Sequence, residues 1–469
     1  MLTSRDRLLA ALFALQLVAA AAFGLVLVNG LGQSPSQQVI TAGPGQAAAV
    51  VTTASAAPSG SASGSAASAG AAGTAGTAGR TATAGPGGDS PTAPGSTSGP
   101  VAVGPAKVAQ GAPIKIGSIV TQTGAINFAA SAQGTKAFLD RVNARGGVNG
   151  HKIVLDLRDD QLDAARGRAQ AQQLLAGGVF AFAAWQAPLT EQNIVPFLEQ
   201  NKIPLIGGYG TRAEYKSPFA YAFQSGHYGY EMGRFLGQEQ GVTRPGVIFI
   251  GGAAEANTAQ RQAFTEGLAA SGKTVRPDDI VVVDVTKASY DDVVTQFRLN
   301  GVDGMATLID QTAYNRLQQS MDRQSYTPVH VADPLFVDPV VRQGPTTEGT
   351  LVASDFAFVN DPSPEVQDYV KTVRAQFGDK AQVSYLGLAG WVSARILVEA
   401  IDRMGEDITR TNLMRVMDSL PATVGGDLTP ALRFSPGAHD INRCLQLGRV
   451  KAGQVQRYKP YACDDKTYG

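Results

Sequence analysis

The sequence has few of the residues that carry metal binding and nucleophilic catalysis. Its four histidines, His151, His227, His330 and His439, are scattered without the spacing of metal ligands. No serine nucleophile motif follows a predicted strand. We therefore predict no metal, no cofactor and no catalytic residue. An enzyme of the cell envelope, the reading we disfavour, would need a nucleophile and a base that no motif supplies.

An excess of positive charge is also missing. Lysine plus arginine number 39, as do aspartate plus glutamate, and the basic residues are dispersed along the chain. A nucleic-acid-binding domain normally concentrates basic residues on one face or stripe. The charge pattern therefore predicts that nucleic acid is not a partner.

A long apolar run occurs at the N-terminus. Arg5 and Arg7 precede the uncharged stretch 8–28, whose 21 residues at about 1.5 Å each would span roughly the 30 Å of a bilayer core. We predict that residues 1–32 are a membrane anchor with the N-terminus inside, which tethers an extracytoplasmic protein to the cell membrane. A cleaved export signal is the alternative, because Ala20–Ala22 offers a small-residue cleavage site and would leave a secreted protein.

Cysteine is nearly absent. With only Cys444 and Cys463 present, no cysteine follows the apolar segment to accept a lipid anchor. The export context and their proximity near the C-terminus favour a disulfide between them, and the alternative is two reduced, buried thiols. Closing a loop of about 20 residues would contribute roughly 3 kcal/mol in the chain-entropy model.

Residues 33–112 lack aromatic side chains and carry only three charges, Arg80, Asp89 and Lys107. Alanine, glycine, serine, threonine and proline make up most of the segment, so it cannot form a core that offsets the entropy of ordering. We predict a disordered linker whose root-mean-square reach is on the order of 50 Å.

From residue 113 to 469, short apolar runs alternate with segments whose apolar residues recur three and four positions apart. This alternation predicts an α/β fold with parallel strands and helices on both faces of the sheet. About 350 residues are too many for one core, so we expect two sheets. The predicted strands are 114–120, 153–157, 179–184, 204–206, 246–250, 280–285, 304–309 and 329–332. The predicted helices are 129–144, 164–176, 191–199, 256–270, 291–299, 311–320, 364–377 and 384–403.

The segment 267–274 matches the phosphate-loop pattern letter by letter. That motif needs a strand entering the loop and a helix leaving it, whereas here a helix enters and a strand leaves. We therefore interpret Gly272 as the end of a helix and Lys273 as a solvated turn residue.

Polar and aromatic residues follow several of the predicted strands. In open α/β sheets, ligands bind outside the carboxyl ends of the strands. Gln122 and Thr123, Trp185 and Gln186, and Tyr209 and Thr211 lie at such ends and are candidate ligand contacts. Helix capping is the alternative for the threonines, and aromatic core packing is the alternative for Trp185 and Tyr209.

Two carboxylates end strands in the second half of the chain. Asp310 follows strand 304–309 and Asp333 follows strand 329–332. Carboxylates at neighbouring strand ends suit an ammonium group, although both residues would also serve as a helix cap or turn opener.

The run 137–163 carries a specific family resemblance. A helical face ends at Gly146-Gly147, a short buried strand follows, and Asp159-Asp160 come after it. With Asn143 before the glycine pair and Gly150 at the next turn, the run resembles the start of the branched-chain amino-acid type of periplasmic binding protein.

The resemblance implies a type I fold with two lobes joined by three hinge crossovers. Lobe one would comprise about 113–226 and 354–426, and lobe two about 227–353 and 427–469. It also implies that the protein captures a small polar ligand, an amino acid or a related metabolite, for an ABC-type importer whose permease and ATPase are separate chains. The alternative is a ligand-sensing receptor ectodomain that signals through a protein partner.

In amino-acid-binding members of that family, a serine after the third strand and an alanine and a threonine in the next loop hold the α-carboxylate. By resemblance these fall on Trp185 or Gln186, and then on Tyr209 and Thr211, so only the threonine is retained.

The tyrosine and glutamate that flank the α-amino group in those members fall at Asp310 or Gln311 and at Asp333, and a first-loop aromatic falls near Phe128. Aromatic acids, amides and other small polar metabolites therefore fit the pattern as well as α-amino acids do.

Overall fold

The computed structural model describes residues 109–124, 127–191, 193–224, 228–239, 241–251, 254–336, 344–437, 442 and 444–463. The predicted membrane segment, most of the predicted linker, His227 and His439 lie outside these residues. Within the described ranges, no helix has the length and apolar character needed to cross a bilayer.

The described residues alternate between strands and helices as expected for an α/β protein. The strands are β1 (Gly111–Val120), β2 (His151–Asp159), β3 (Ala181–Ala183), β4 (Leu205–Ile206), β5 (Ala220–Tyr221), β6 (Pro245–Ile250), β7 (Ile280–Val283), β8 (Gly304–Leu308), β9 (Val329–Ala332), β10 (Leu351–Ser354), β11 (Cys444–Lys451) and β12 (Gln454–Cys463). The helices are α1 (Ala129–Ala144), α2 (Ala164–Ala176), α3 (Pro188–Glu191), α4 (Val195–Asn201), α5 (Arg212–Lys216), α6 (Tyr228–Arg234), α7 (Ala254–Ala269), α8 (Asp291–Asn300), α9 (Gln311–Arg323), α10 (Pro364–Phe377), α11 (Tyr385–Met404) and α12 (Arg410–Asp418).

The strands form two sheets, as the sequence predicts. The first has the order β2-β1-β3-β4-β5 and is parallel throughout. The second has the order β12-β11-β10-β9-β8-β6-β7, parallel from β7 to β10, with β11 and β12 added antiparallel. The parallel part of the second sheet repeats the strand order of the first. Each sheet therefore has a point where the strand order reverses, between β1 and β3 and between β6 and β8, and ligands bind at such points.

The chain crosses between the two sheets three times, after β5, after β10 and before β11. The crossing segments contact one another. The rings of Phe223 and Phe356, from the first and second crossings, are 6.4 Å apart. Asn442, in the third crossing, donates from Nδ2 to the carbonyl of Phe223 at 3.0 Å.

Helices α10 and α11, which follow the second crossing, pack on α1 and so cover the first sheet. Glycine permits the close approach of α1 to α11. A Cβ at Gly134 would lie 1.8 Å from the carbonyl oxygen of Gly387, and one at Gly390 would lie 2.1 Å from that of Ser131. The two backbones therefore touch where only glycine fits.

Several predicted elements differ from the structure. The predicted helix 191–199 is wrong, because α3 ends at Glu191 and α4 begins at Val195 with a proline in its first turn, the helical position that proline tolerates. Strands β5, β10, β11 and β12 and helices α3, α5, α6 and α12 were not anticipated, since most are short.

The phosphate-loop match is a helix end, as predicted. Gly272 has a φ of +73° after α7. Lys273, however, is not a solvated turn residue. It is half-buried and its Nζ donates to the carbonyl of Val242.

Cys444 and Cys463 form the predicted disulfide. They are opposite each other in the β11–β12 ladder, so the bond joins the two ends of a hairpin that also has backbone hydrogen bonds along its length.

Candidate ligand-binding site

Four of the predicted residues come together where the carboxyl ends of the two sheets meet. We call this group the interlobe site and define it as Phe128, Tyr209, Asp310 and Asp333. Phe128 precedes α1 and Tyr209 follows β4, whereas Asp310 follows β8 and Asp333 follows β9. The site thus draws two residues from each sheet.

Tyr209 provides the link between the two sheets. Its ring meets that of Phe128 edge to face, with centroids 6.0 Å apart. Burial raises the pKa of Tyr209, and the charges of Asp333, Glu191 and Asp355 raise it further. Because two of these carboxylates belong to the second sheet, Tyr209 lies close to the opposite lobe. Within the described residues its hydroxyl has no hydrogen-bond partner.

Asp333 is a buried carboxyl with an open oxygen. The residue is 5% exposed, and its Oδ1 accepts from the backbone N–H of Leu335 at 3.2 Å. No described residue donates to its Oδ2. Burial raises the pKa of Asp333 well above the usual range, and the charge of Asp310 adds to this shift.

Asp310 caps helix α9. Its Oδ1 accepts from the backbone N–H groups of Thr312 at 2.8 Å and Ala313 at 3.2 Å. Its Oδ2 is buried and has no donor among the described residues. Capping therefore accounts for only one of the two carboxylate oxygens. Gln311 begins α9 beside it and is half-buried.

The first strand-end loop is held by Asp159. Oδ1 of Asp159 accepts from the backbone N–H groups of Gln122 at 2.9 Å and Thr123 at 3.4 Å, and Oδ2 accepts from the Thr123 hydroxyl at 2.6 Å. The neighbouring Asp160 is fully buried and accepts hydroxyl bonds from Thr121 and Thr190, each 2.7 Å long. The acidic pair after β2 therefore organises the loops of the first lobe.

The loop after β4 is held by two buried glutamates that the sequence analysis missed. The backbone N–H of Tyr209 donates to Oε1 of Glu191. Those of Gly210 and Thr211 donate to Oε2 of Glu214 at 2.9 and 2.7 Å. Thr211 accepts in return from the Glu214 N–H, which completes a capping box at α5.

Glu191 and Glu214 share a proton. Both residues are fully buried, and each has one oxygen without a backbone donor, Oε2 of Glu191 and Oε1 of Glu214. The two carboxyls hydrogen-bond to each other, and burial raises the pKa of both. A Cβ at Gly208 would lie 2.1 Å from Glu214 and 2.5 Å from Glu191, so the loop runs directly over the pair and needs glycine there.

A buried hydrogen-bond network extends from Gln186 to the second sheet. Gln186 donates to Gln224 at 2.9 Å, and Gln224 donates to the Tyr385 hydroxyl at 3.0 Å. Tyr385 in turn donates to Asp355 at 2.9 Å, and its hydroxyl lies 2.8 Å from that of Tyr228. These residues lie where the chain crosses between lobes, so the network connects the lobes through side chains.

Trp185 does not line the interlobe site. It is fully buried, and its ring packs on Phe182 with centroids 5.1 Å apart, within a core cluster that includes Phe197 and Leu198 of α4. Core packing therefore explains this tryptophan, and its predicted contact with a ligand has no support in this position.

Sequence reasoning could have found part of what it missed. Thr211 followed three positions later by Glu214 is the capping-box pattern. Glu191, Tyr228, Asp355 and Tyr385 gave no such signal, because their partners are distant in the sequence.

The described residues contain no group of three or more histidine, cysteine, aspartate or glutamate side chains placed to hold a metal ion. His330 is a packing residue. It lies between the Thr307 hydroxyl at 2.9 Å and the Gln318 amide at 3.0 Å, and burial lowers its pKa to about 3.

Solved structures of similar fold are solute-binding proteins. A fatty acid ABC transporter substrate-binding protein from Thermomonospora curvata is 16% identical, with a TM-score of 0.65 over 75% of this chain and 93% of that one. A solute-binding protein from R. palustris in complex with benzoate is 15% identical, with a TM-score of 0.63 over 75% and 98%. A possible leucine/isoleucine/valine-binding protein from Rhodopirellula baltica SH 1 is 17% identical, with a TM-score of 0.62 over 75% and 97%.

Among curated protein sequences, none matches this chain. The family model described as periplasmic binding protein matches residues 113–454, which include both sheets. The sheet order, the three crossings and this match lead to one conclusion. The chain belongs to the type I periplasmic binding proteins, the family of two-lobed solute-binding proteins that its sequence resembles.

Proposed function

We propose that this protein captures a small polar ligand, an amino acid or a related metabolite, between its two lobes and presents it to an ABC-type importer. One observation carries the proposal. The unpartnered hydroxyl of Tyr209 and the open oxygen of Asp333 come from opposite sheets and meet at the strand ends, where an α/β sheet binds ligands.

Closure of the lobes would enclose the ligand, and reopening would release it to a permease served by a separate ATPase. The chain would work outside the cell membrane. Residues 1–32 would anchor it there, and residues 33–112 would allow it to reach the permease while raising its local concentration. Extraction of membranes at high pH tests the anchor: the full-length chain should remain with the membrane, and a chain that begins at residue 33 should be released.

Ligand capture is tested by thermal unfolding of the full-length protein in mild detergent, with amino acids, small amines, amides and aromatic acids added one at a time. A ligand at 100 times its dissociation constant stabilises the folded state by about 2.7 kcal/mol. At least one class should raise the midpoint. If no compound in any class does so, the protein does not capture small metabolites of this kind.

A further inference from the structure

We propose that the ligand carries an ammonium group and no carboxylate, so that the site selects amines rather than amino acids or simple acids. This inference rests on the proposed function and narrows it. It follows from which hydrogen-bonding groups around the interlobe site are already occupied and which remain open.

The backbone donors of the first lobe are occupied. The N–H groups of Gln122 and Thr123 donate to Asp159, that of Tyr209 donates to Glu191, and those of Gly210 and Thr211 donate to Glu214. These five groups lie in two strand-end loops, where a carboxylate would seek them. A ligand carboxylate could use them only by displacing a carboxylate of the protein.

The charges around the site have one sign. Asp333, Glu191 and Asp355 act on Tyr209, and Asp310 acts on Asp333. Within the described residues, no lysine or arginine lies close enough to shift the pKa of Tyr209 or Asp333. A ligand carboxylate would add a further negative charge to this buried region, whereas an ammonium would supply the missing positive one.

The open groups are acceptors. Asp333 is 5% exposed and its Oδ2 has no donor among the described residues, and the buried Oδ2 of Asp310 also has none. An ammonium brings three donors and no acceptor. The rings of Phe128 and Tyr209 supply an aromatic wall for an apolar body, and a ring face also attracts a cation.

The test compares ligands that share a carbon skeleton. Isothermal titration of the full-length protein would use leucine, 3-methylbutylamine and 4-methylpentanoate, and in parallel phenylalanine, 2-phenylethylamine and 3-phenylpropanoate. In at least one series the amine should bind tenfold or more tightly than the amino acid, and the acid should not bind. Tighter binding of either carboxylate-bearing member would overturn the inference and leave solute capture standing.

If neither series binds, mass spectrometry of the protein isolated without denaturation identifies a retained ligand. An amine without a carboxylate supports the inference, and a carboxylate contradicts it. A protein that retains nothing and binds nothing fails both the inference and the proposed function.

The matched variants are Asp333→Asn and, as a control, Asp284→Asn, which changes an exposed carboxylate that bonds only locally with Thr286. Asp333→Asn should weaken amine binding about 30-fold or more, because it removes the negative partner of a buried ion pair. Asp284→Asn should leave binding unchanged. Equal amine affinity in wild type and Asp333→Asn would show that the amine does not bind where we place it.

Discussion

The two lobes use their acidic residues differently at the interlobe site. In the first lobe, Asp159, Glu191 and Glu214 accept bonds from the backbone of the strand-end loops. In the second lobe, Asp310 and Asp333 each keep one oxygen without a donor in the described chain. The residue type is the same, but the first group maintains the loops and the second is available to a ligand.

The contrast shows that burial of a carboxyl does not by itself identify a binding residue. Glu214 and Asp333 are both buried with a raised pKa. The difference lies in their hydrogen-bond partners. The backbone N–H groups bound by Glu214 would be left unsatisfied without it, whereas only one backbone group depends on Asp333.

Replacement of Glu214 by alanine should produce the largest loss of stability. The change leaves the N–H groups of Gly210 and Thr211 and the carboxyl of Glu191 without a partner. We expect the free energy of unfolding to fall by about 3 kcal/mol or more. Chemical denaturation of the full-length protein measures the change.

Glu214→Gln is the matched control, since its amide oxygen can accept from both N–H groups and its amide nitrogen can donate to Glu191. It should recover most of the stability, and Asp333→Asn should change stability by less than about 1 kcal/mol. A larger loss from Asp333→Asn than from Glu214→Ala would reverse the assignment of the two lobes.

The stability of the ligand-free protein should fall as pH rises. Glu191, Glu214 and Asp333 have raised pKa values in the folded state, so the folded chain binds more protons than the unfolded chain. Their contribution is complete below the ordinary carboxyl pKa of about 4 and is lost as pH rises through the raised values. Thermal unfolding between about pH 5 and 8 should show this slope.

Glu191→Gln should reduce that slope, because a neutral amide replaces one member of the pair that shares a proton. Asp284→Asn serves as the exposed control and should leave the slope unchanged, since burial does not raise the pKa of Asp284. An identical slope in Glu191→Gln and wild type would mean that the glutamate pair does not titrate in this range.

Tyr385→Phe should have an intermediate effect. It removes the hydroxyl that bonds Asp355, Gln224 and Tyr228, and so interrupts the network between the lobes. We expect a loss of about 1 to 2 kcal/mol in unfolding free energy. Tyr458→Phe, at an exposed tyrosine, is the control. Equal stabilities for the two variants would show that the network contributes nothing.

The smallest effect should come from Asp159→Asn. Its loop is more exposed, and asparagine can still accept from one N–H group, so we expect a loss of about 0.5 kcal/mol. Hydrogen exchange at Gln122 and Thr123 should nevertheless become faster. Unchanged exchange would indicate that Asp159 does not hold this loop.

The sequence predicted the features that depend on local pattern. Alternating apolar runs predicted both parallel sheets, and the positive φ of Gly147, at +78°, agrees with the predicted helix end. Asp310 and Asp333 were placed at strand ends because each directly follows an apolar run.

Contacts between distant residues were not predictable in the same way. Trp185 ends a strand just as Tyr209 does, yet it faces Phe182 in the core. Which face a residue takes after a strand depends on one backbone dihedral, and Ala184, just before Trp185, has a φ of +50°. Asp355 and Tyr385 meet only because the chain returns to the first lobe between them.

The mutual contact of the three crossing segments constrains how the protein can move. Phe223, Phe356 and Asn442 belong to different passes of the chain and are held against one another. Sliding or twisting one lobe against the other would have to break these contacts, whereas a small bend shared by all three passes would not. Opening should therefore follow a single rotation axis, and entry of a ligand should always occur from the side of the molecule opposite that axis.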